Sequence, residues 1–121
     1  MTQVISLSSE TQLLNLLEPG QRIYVAGSSN EPLGLVDALS KGALPDNLEF
    51  LHFPLPGLNS TDFTALSPSA RVTTFFMSSI LAKADSDRVA YLPMQMRAIF
   101  DFLGAGIDVY MLQVAKDRHG V

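Results

Sequence analysis

Short apolar runs alternate with helical segments along this 121-residue chain, and that alternation constrains the fold more than any other feature. The clearest unit lies near the C-terminus. Val89-Ala90-Tyr91-Leu92-Pro93 leads into an amphipathic segment and then into Ile107-Asp108-Val109-Tyr110-Met111-Leu112-Gln113-Val114. A strand, a helix and a second strand in that order return to one sheet by a crossover, which makes the strands parallel. The polar stretch beyond the last strand then falls at the C-terminal edge of the sheet, where open parallel sheets bind ligands.

The rest of the chain repeats the pattern. Arg22 to Ala26, Leu48 to Phe53, Val72 to Phe76 and Arg88 to Leu92 read as strands. Leu48 to Phe53 carries little polarity, as a parallel strand covered on both sides does. Ser8 or Ser9 caps a first helix, with Gln12 completing a capping box after Ser9, and Leu13, Leu14, Leu16 and Leu17 give it an apolar side. Pro19-Gly20 ends it. Asn30 is the expected cap of the next helix, with Pro32 in its first turn and Gly42 as its stop.

Pro54 to Ala70 is rich in Pro, Ser, Thr and Gly and reads as irregular. Ser78 to Ala84 reads as a short helix. After Pro93, the i, i+3, i+4, i+7 spacing points Met96, Ile99, Phe100 and Leu103 inward; Met94, Met96 and Phe102 suit an apolar wall beside Tyr91-Leu92-Pro93, but at helical spacing they read first as core or interface. The expected fold class is α/β, a three-layer α/β/α domain spanning residues 1–121 with a mostly parallel sheet.

Composition narrows the function classes. Charged residues make up 17% of the chain, below the usual quarter, so much of the chain is expected to be buried or to form an apolar surface that a second domain or subunit covers, with a homo-oligomer also open. The net charge is −4 and the basic residues are scattered without a stripe, which argues against nucleic acid as a partner. With no cysteine, disulfides, thiol nucleophiles and thiolate metal sites are excluded. His52 and His119 are too far apart to make a metal-ligand pattern. His52, flanked by Leu51 and Phe53, reads as a satisfied, half-buried histidine. No run reaches membrane-span length and no signal-peptide pattern opens the chain, so the expected location is cytoplasmic and away from membranes.

Two segments are candidates for chemistry. Gly27, Ser28, Ser29 and Asn30 lie between a strand and a helix start, where outward N–H groups favour a phosphate, a carboxylate or a thioester oxygen. An ordinary strand-to-helix turn fits the same residues, and Glu31 in the first turn would oppose an anion. Asp117 and His119, in Lys116-Asp117-Arg118-His119, combine an imidazole with an acid two residues away and suit acid–base work. A solvated turn after the last strand is the plainer reading of the same residues.

Taken together, the segments resemble one family. Ile23-Tyr24-Val25-Ala26-Gly27-Ser28-Ser29-Asn30-Glu31-Pro32, followed by Leu35-Val36 and Ala38-Leu39, resembles the first strand, loop and helix of the acetyl-CoA hydrolase/transferase family, which includes 4-hydroxybutyrate and succinyl-CoA:acetate CoA-transferases. Val89 to Phe100, Ile107-Asp108-Val109 and Asp117-Arg118-His119-Gly120 are similar to a later run of the same family. Ala115 stands where the family has a serine, and Met77-Ser78-Ser79-Ile80-Leu81 replaces an arginine- and glycine-rich stretch.

The resemblance implies the fold shared by the sugar-phosphate isomerase and CoA-transferase superfamily. It implies coenzyme A or an acyl-CoA as substrate, with no covalently bound cofactor and no metal. Gly27, Ser28, Ser29, Asn30, Asp117 and His119 would line an acyl-CoA/carboxylate site. The match covers the family's N-terminal half, and family enzymes carry their glutamate nucleophile in the second half. None of Glu10, Glu18, Glu31 and Glu49 corresponds to it, so no catalytic residue is expected in this chain, and the nucleophile is expected in a second domain or subunit. A stand-alone binding or interaction module derived from the same fold is the alternative.

Overall fold

The structure, a computed structural model, describes residues 6–116, 118 and 119. Five strands form one sheet in the order β4-β3-β2-β1-β5: β1 Arg22–Val25, β2 Glu49–His52, β3 Arg71–Thr74, β4 Val89–Tyr91 and β5 Val109–Met111. Every pairing is parallel. The chain moves outward from β1 through β2 and β3 to β4, then returns to place β5 on the other side of β1. That reversal creates a topological switch point beside β1.

The register explains the two cores. Ile23, Phe50, Val72 and Val109 stand side by side on one face. They pack under α1 (Glu10–Leu16) and α2 (Leu33–Ser40), with Leu13, Leu17, Val36 and Leu39 buried against them. Tyr24, Leu51 and Thr73 alternate onto the opposite face, as period-two strands require. There α3 (Met96–Leu103) inserts Ile99 and Leu103 beside Leu51 and Phe75. The result is the expected three-layer, Rossmann-like α/β/α architecture. No helix among the described residues is long and apolar enough to cross a membrane.

Ser9 caps α1 and accepts from the Gln12 N–H at 3.4 Å, while the Gln12 side chain returns to Ser8 instead of Ser9. The segment from Pro54 to Ala70 is irregular apart from a 3-10 turn at Phe63–Leu66, and it still contributes to the core. Phe63 is fully buried, stacked 5.2 Å from Phe50 and set edge-on 5.0 Å from His52.

Four local expectations are corrected. Asn30 does not cap α2: Ser28–Asn30 forms a 3-10 turn, and Pro32 occupies the cap position without a side-chain bond. The chain diverts there because Glu31 turns into the core. Within α3, Phe100 and Met96 are 69% and 55% exposed. Ile99 and Leu103 face the sheet as expected, and Phe102 joins them in place of Met96 and Phe100, set edge-on against Phe75 and beneath the Arg22 guanidinium.

Ser78 to Ala84 holds only a 3-10 turn, Leu81–Lys83, which the Ser78 hydroxyl steadies by accepting from the Leu81 N–H. β5 ends at Met111, well before Val114. It is an edge strand with one neighbour, and beyond it the Gln113 N–H donates to the Asn30 carbonyl.

Candidate functional site

At the C-terminal edge of β1 and β2, alongside α3, lies a cleft of about 310 Å3. That volume is at the lower end of the range for small-molecule pockets. Tyr24, Phe53, Leu55, Met96, Ile99 and Phe100 make most of its wall, and Gly27, Ser28 and Asn30 form a polar rim. No lining residue carries a charged side chain. Burial pushes the Tyr24 phenol above its ordinary value, so it remains protonated at neutral pH.

The cleft exists because β1 and β2 end in unusually close contact. A Cβ at Gly27 would sit 1.8 Å from the Phe53 carbonyl oxygen. Only glycine lets the two chains approach this closely before they part. Ser28 follows with φ +57°, a left-handed conformation that costs a residue with a side chain some strain. The side-chain amide of Asn59 holds it there. Asn59 Oδ1 accepts from the Ser28 N–H at 2.8 Å and from the Leu55 N–H at 2.8 Å. Its Nδ2 donates to the Ser28 carbonyl at 3.0 Å and to Glu31 Oε2 at 2.9 Å. All four bonds this amide can make are made, which fixes its orientation.

Behind Asn59 the polar cluster continues inward. Glu31 is 6% exposed, and its Oε1 accepts from Thr61 Oγ1 at 3.2 Å and lies 3.8 Å from His52 Nε2. His52 is 1% exposed. Its Nδ1 is 2.9 Å from the Val25 carbonyl, an acceptor only, so Nδ1 carries the proton. Burial lowers the His52 pKa below its ordinary value, against smaller opposing contributions from that carbonyl and from Glu31. Nε2 faces the Glu31 side chain, and among the described residues this nitrogen has no hydrogen-bond partner.

Of the sequence candidates, Gly27, Ser28 and Asn30 are brought together at the cleft rim, and Ser29 is exposed on the same loop. The Ser28 N–H points inward to Asn59 and the Asn30 N–H bonds to Gly27 C=O, so neither N–H is directed at an anion. His119 is exposed on the turn after β5 and does not line the cleft; Asp117 lies outside the described residues. Two readings are corrected. Glu31 is not in the first turn of α2 but precedes it as a buried acceptor, and His52 is not half-buried and satisfied but fully enclosed, with one nitrogen lacking a partner among the described residues.

Asn59 was not legible, because it sits in a stretch whose composition signals only a loop. The available signal was a histidine in an apolar strand together with an acid immediately before a proline.

A second cleft, of about 360 Å3, opens at the N-terminal edge of β3 and β4. Two of its charged residues, Arg88 and Glu49, are engaged in the fold. Arg88 donates to the carbonyls of Thr64, Ser67, Pro68 and Ala70, and Glu49 accepts from Arg22 and Thr73. In comparisons with known proteins, no family model and no curated protein matches this chain.

Proposed function

We propose that this domain supplies one wall of an acyl-thioester site in an acetyl-CoA hydrolase/CoA-transferase-like protein, with the sugar-phosphate isomerase/CoA-transferase fold. The observation that carries the reading is the uncharged cleft at the C-terminal edge of β1, rimmed by Gly27, Ser28 and Asn30. An acyl group with its pantetheine arm is long, narrow and mostly apolar, and carries a few amide and carbonyl groups. It matches an apolar wall with a short polar rim better than a free phosphate or a dicarboxylate does.

Neither the rim nor the wall contains a nucleophile–base pair with the geometry covalent catalysis requires. In this proposal the glutamate nucleophile comes from a second domain or subunit, whose docking covers the exposed Met96 and Phe100 side chains beside the cleft. A cytoplasmic location belongs to the same proposal. The test is calorimetry and a thioester hydrolysis assay on the purified chain with acetyl-CoA. Saturable binding without turnover is expected. Hydrolysis that disappears in Asp117→Ala or His119→Ala would overturn the division of labour.

A further inference from the structure

The cluster behind the loop is the most unusual polar arrangement among the described residues. Asn59 and Glu31 lie outside the lining of the cleft. Yet both are more than nine-tenths buried, and together they grip the one rim residue in a left-handed conformation. A buried amide with all four bonds satisfied is a rigid element, because moving it leaves several polar groups unpaired at once.

Glu31 closes the arrangement from behind. It binds the amide hydrogen of Asn59 that does not reach Ser28, and so prevents the amide from rotating away. Its second oxygen is held by Thr61. The groups around Glu31 are thus Asn59, Thr61 and the His52 ring.

We infer that Asn59 and Glu31 are positioning residues: Asn59 clamps Ser28 by both backbone groups, Glu31 locks the clamp, and the pair sets the shape of the rim that meets the ligand. The loop part of this inference stands on the hydrogen bonds alone. The ligand part rests on the acyl-thioester reading above.

The two are separated by measuring amide hydrogen exchange at Ser28 and acetyl-CoA binding in the same set of variants, with β1 and β2 amides as the folding control. In the wild-type chain the Ser28 N–H is protected. In Asn59→Ala, with the control amides still slow, Ser28 exchange rises at least tenfold and acetyl-CoA affinity falls severalfold. Glu31→Ala gives a smaller change of the same kind without touching Ser28, and serves if Asn59→Ala does not fold.

Glu31→Gln restores wild-type exchange and affinity. The amide oxygen still accepts from Asn59, and the new N–H₂ in place of Oε1 faces His52 Nε2 and the Thr61 hydroxyl, which turns from donor to acceptor. Unchanged Ser28 protection in folded Asn59→Ala overturns the clamp. A loosened loop with undiminished acetyl-CoA affinity overturns its role in binding. A loosened loop in a protein whose wild type binds no acetyl-CoA supports the clamp and overturns the acyl-thioester reading.

Discussion

Replacing Gly27 with alanine tests the geometry on which the cleft depends. The added methyl would lie 1.8 Å from the Phe53 carbonyl oxygen and 2.7 Å from its carbonyl carbon, whereas Cβ contacts under 3.0 Å are essentially not found. The ends of β1 and β2 must therefore separate by about 1.2 Å or more. Neither can yield alone, because Val25 C=O is bonded to His52 Nδ1 and Ser28 is clamped by Asn59. Overpacking of this kind costs about 1–3 kcal/mol, and stretching one buried hydrogen bond adds about 1 kcal/mol.

A loss of about 3 kcal/mol is a large share of the 5–15 kcal/mol typical of a domain and lowers Tm by about 12 °C. Urea and thermal unfolding monitored by circular dichroism measure it. Gly34→Ala is the matched control: Gly34 lies in α2, and a Cβ there meets nothing within 4 Å. It gains about 0.5–1 kcal/mol by improving the helix. A Gly27→Ala protein as stable as wild type would refute the close-approach argument.

Stability responds to pH through His52. Burial holds the folded-state pKa below the ordinary 6.5, so the unfolded chain takes up the proton first as pH falls. The His52 contribution is complete above pH 6.5 and is lost progressively beneath it, until the folded ring itself titrates. His52→Asn, which retains a donor toward Val25 C=O, should flatten urea-unfolding stability between pH 7 and 5.5; a slope equal to wild type would be the contrary result. Arg88→Ala strands four main-chain carbonyls and should cost about 2–3 kcal/mol in chemical denaturation, with Arg88→Lys recovering only part because an ammonium lacks the forked geometry. On α3, Ile99→Ala should cost about 2–4 kcal/mol, whereas Phe100→Ala should change unfolding by less than about 0.5 kcal/mol while weakening acetyl-CoA binding, since Phe100 is exposed yet lines the cleft.

The layered α/β architecture was legible because strand and helix periodicities differ and the strands are nearly continuous apolar runs. Five strands were anticipated at their observed places; β1 to β4 stop one or two residues before the expected end, since pairing ends where the neighbour does, and β5 is far shorter than expected. Spacing alone misassigned Phe100: a helix that packs against only part of a sheet buries a narrower stripe than its apolar residues define. The Gly27 loop was legible from its small residues between a strand and a helix. The clamp behind it was not. Asn59, Glu31 and His52 are separated by up to 28 positions and meet only through the fold, and no local pattern encodes a side-chain amide that imitates a strand neighbour.

The central claim is that the uncharged cleft beside the Gly27 loop receives an acyl thioester. Titrating isotopically labelled chain with butyryl-CoA and with free CoA, and following backbone amides together with the Met96 methyl, tests it most directly. The account predicts saturable shifts at Gly27, Ser28, Asn30 and Met96 that are larger with butyryl-CoA than with CoA. Shifts confined to other surfaces, or equal responses to the two ligands at the cleft, would contradict it.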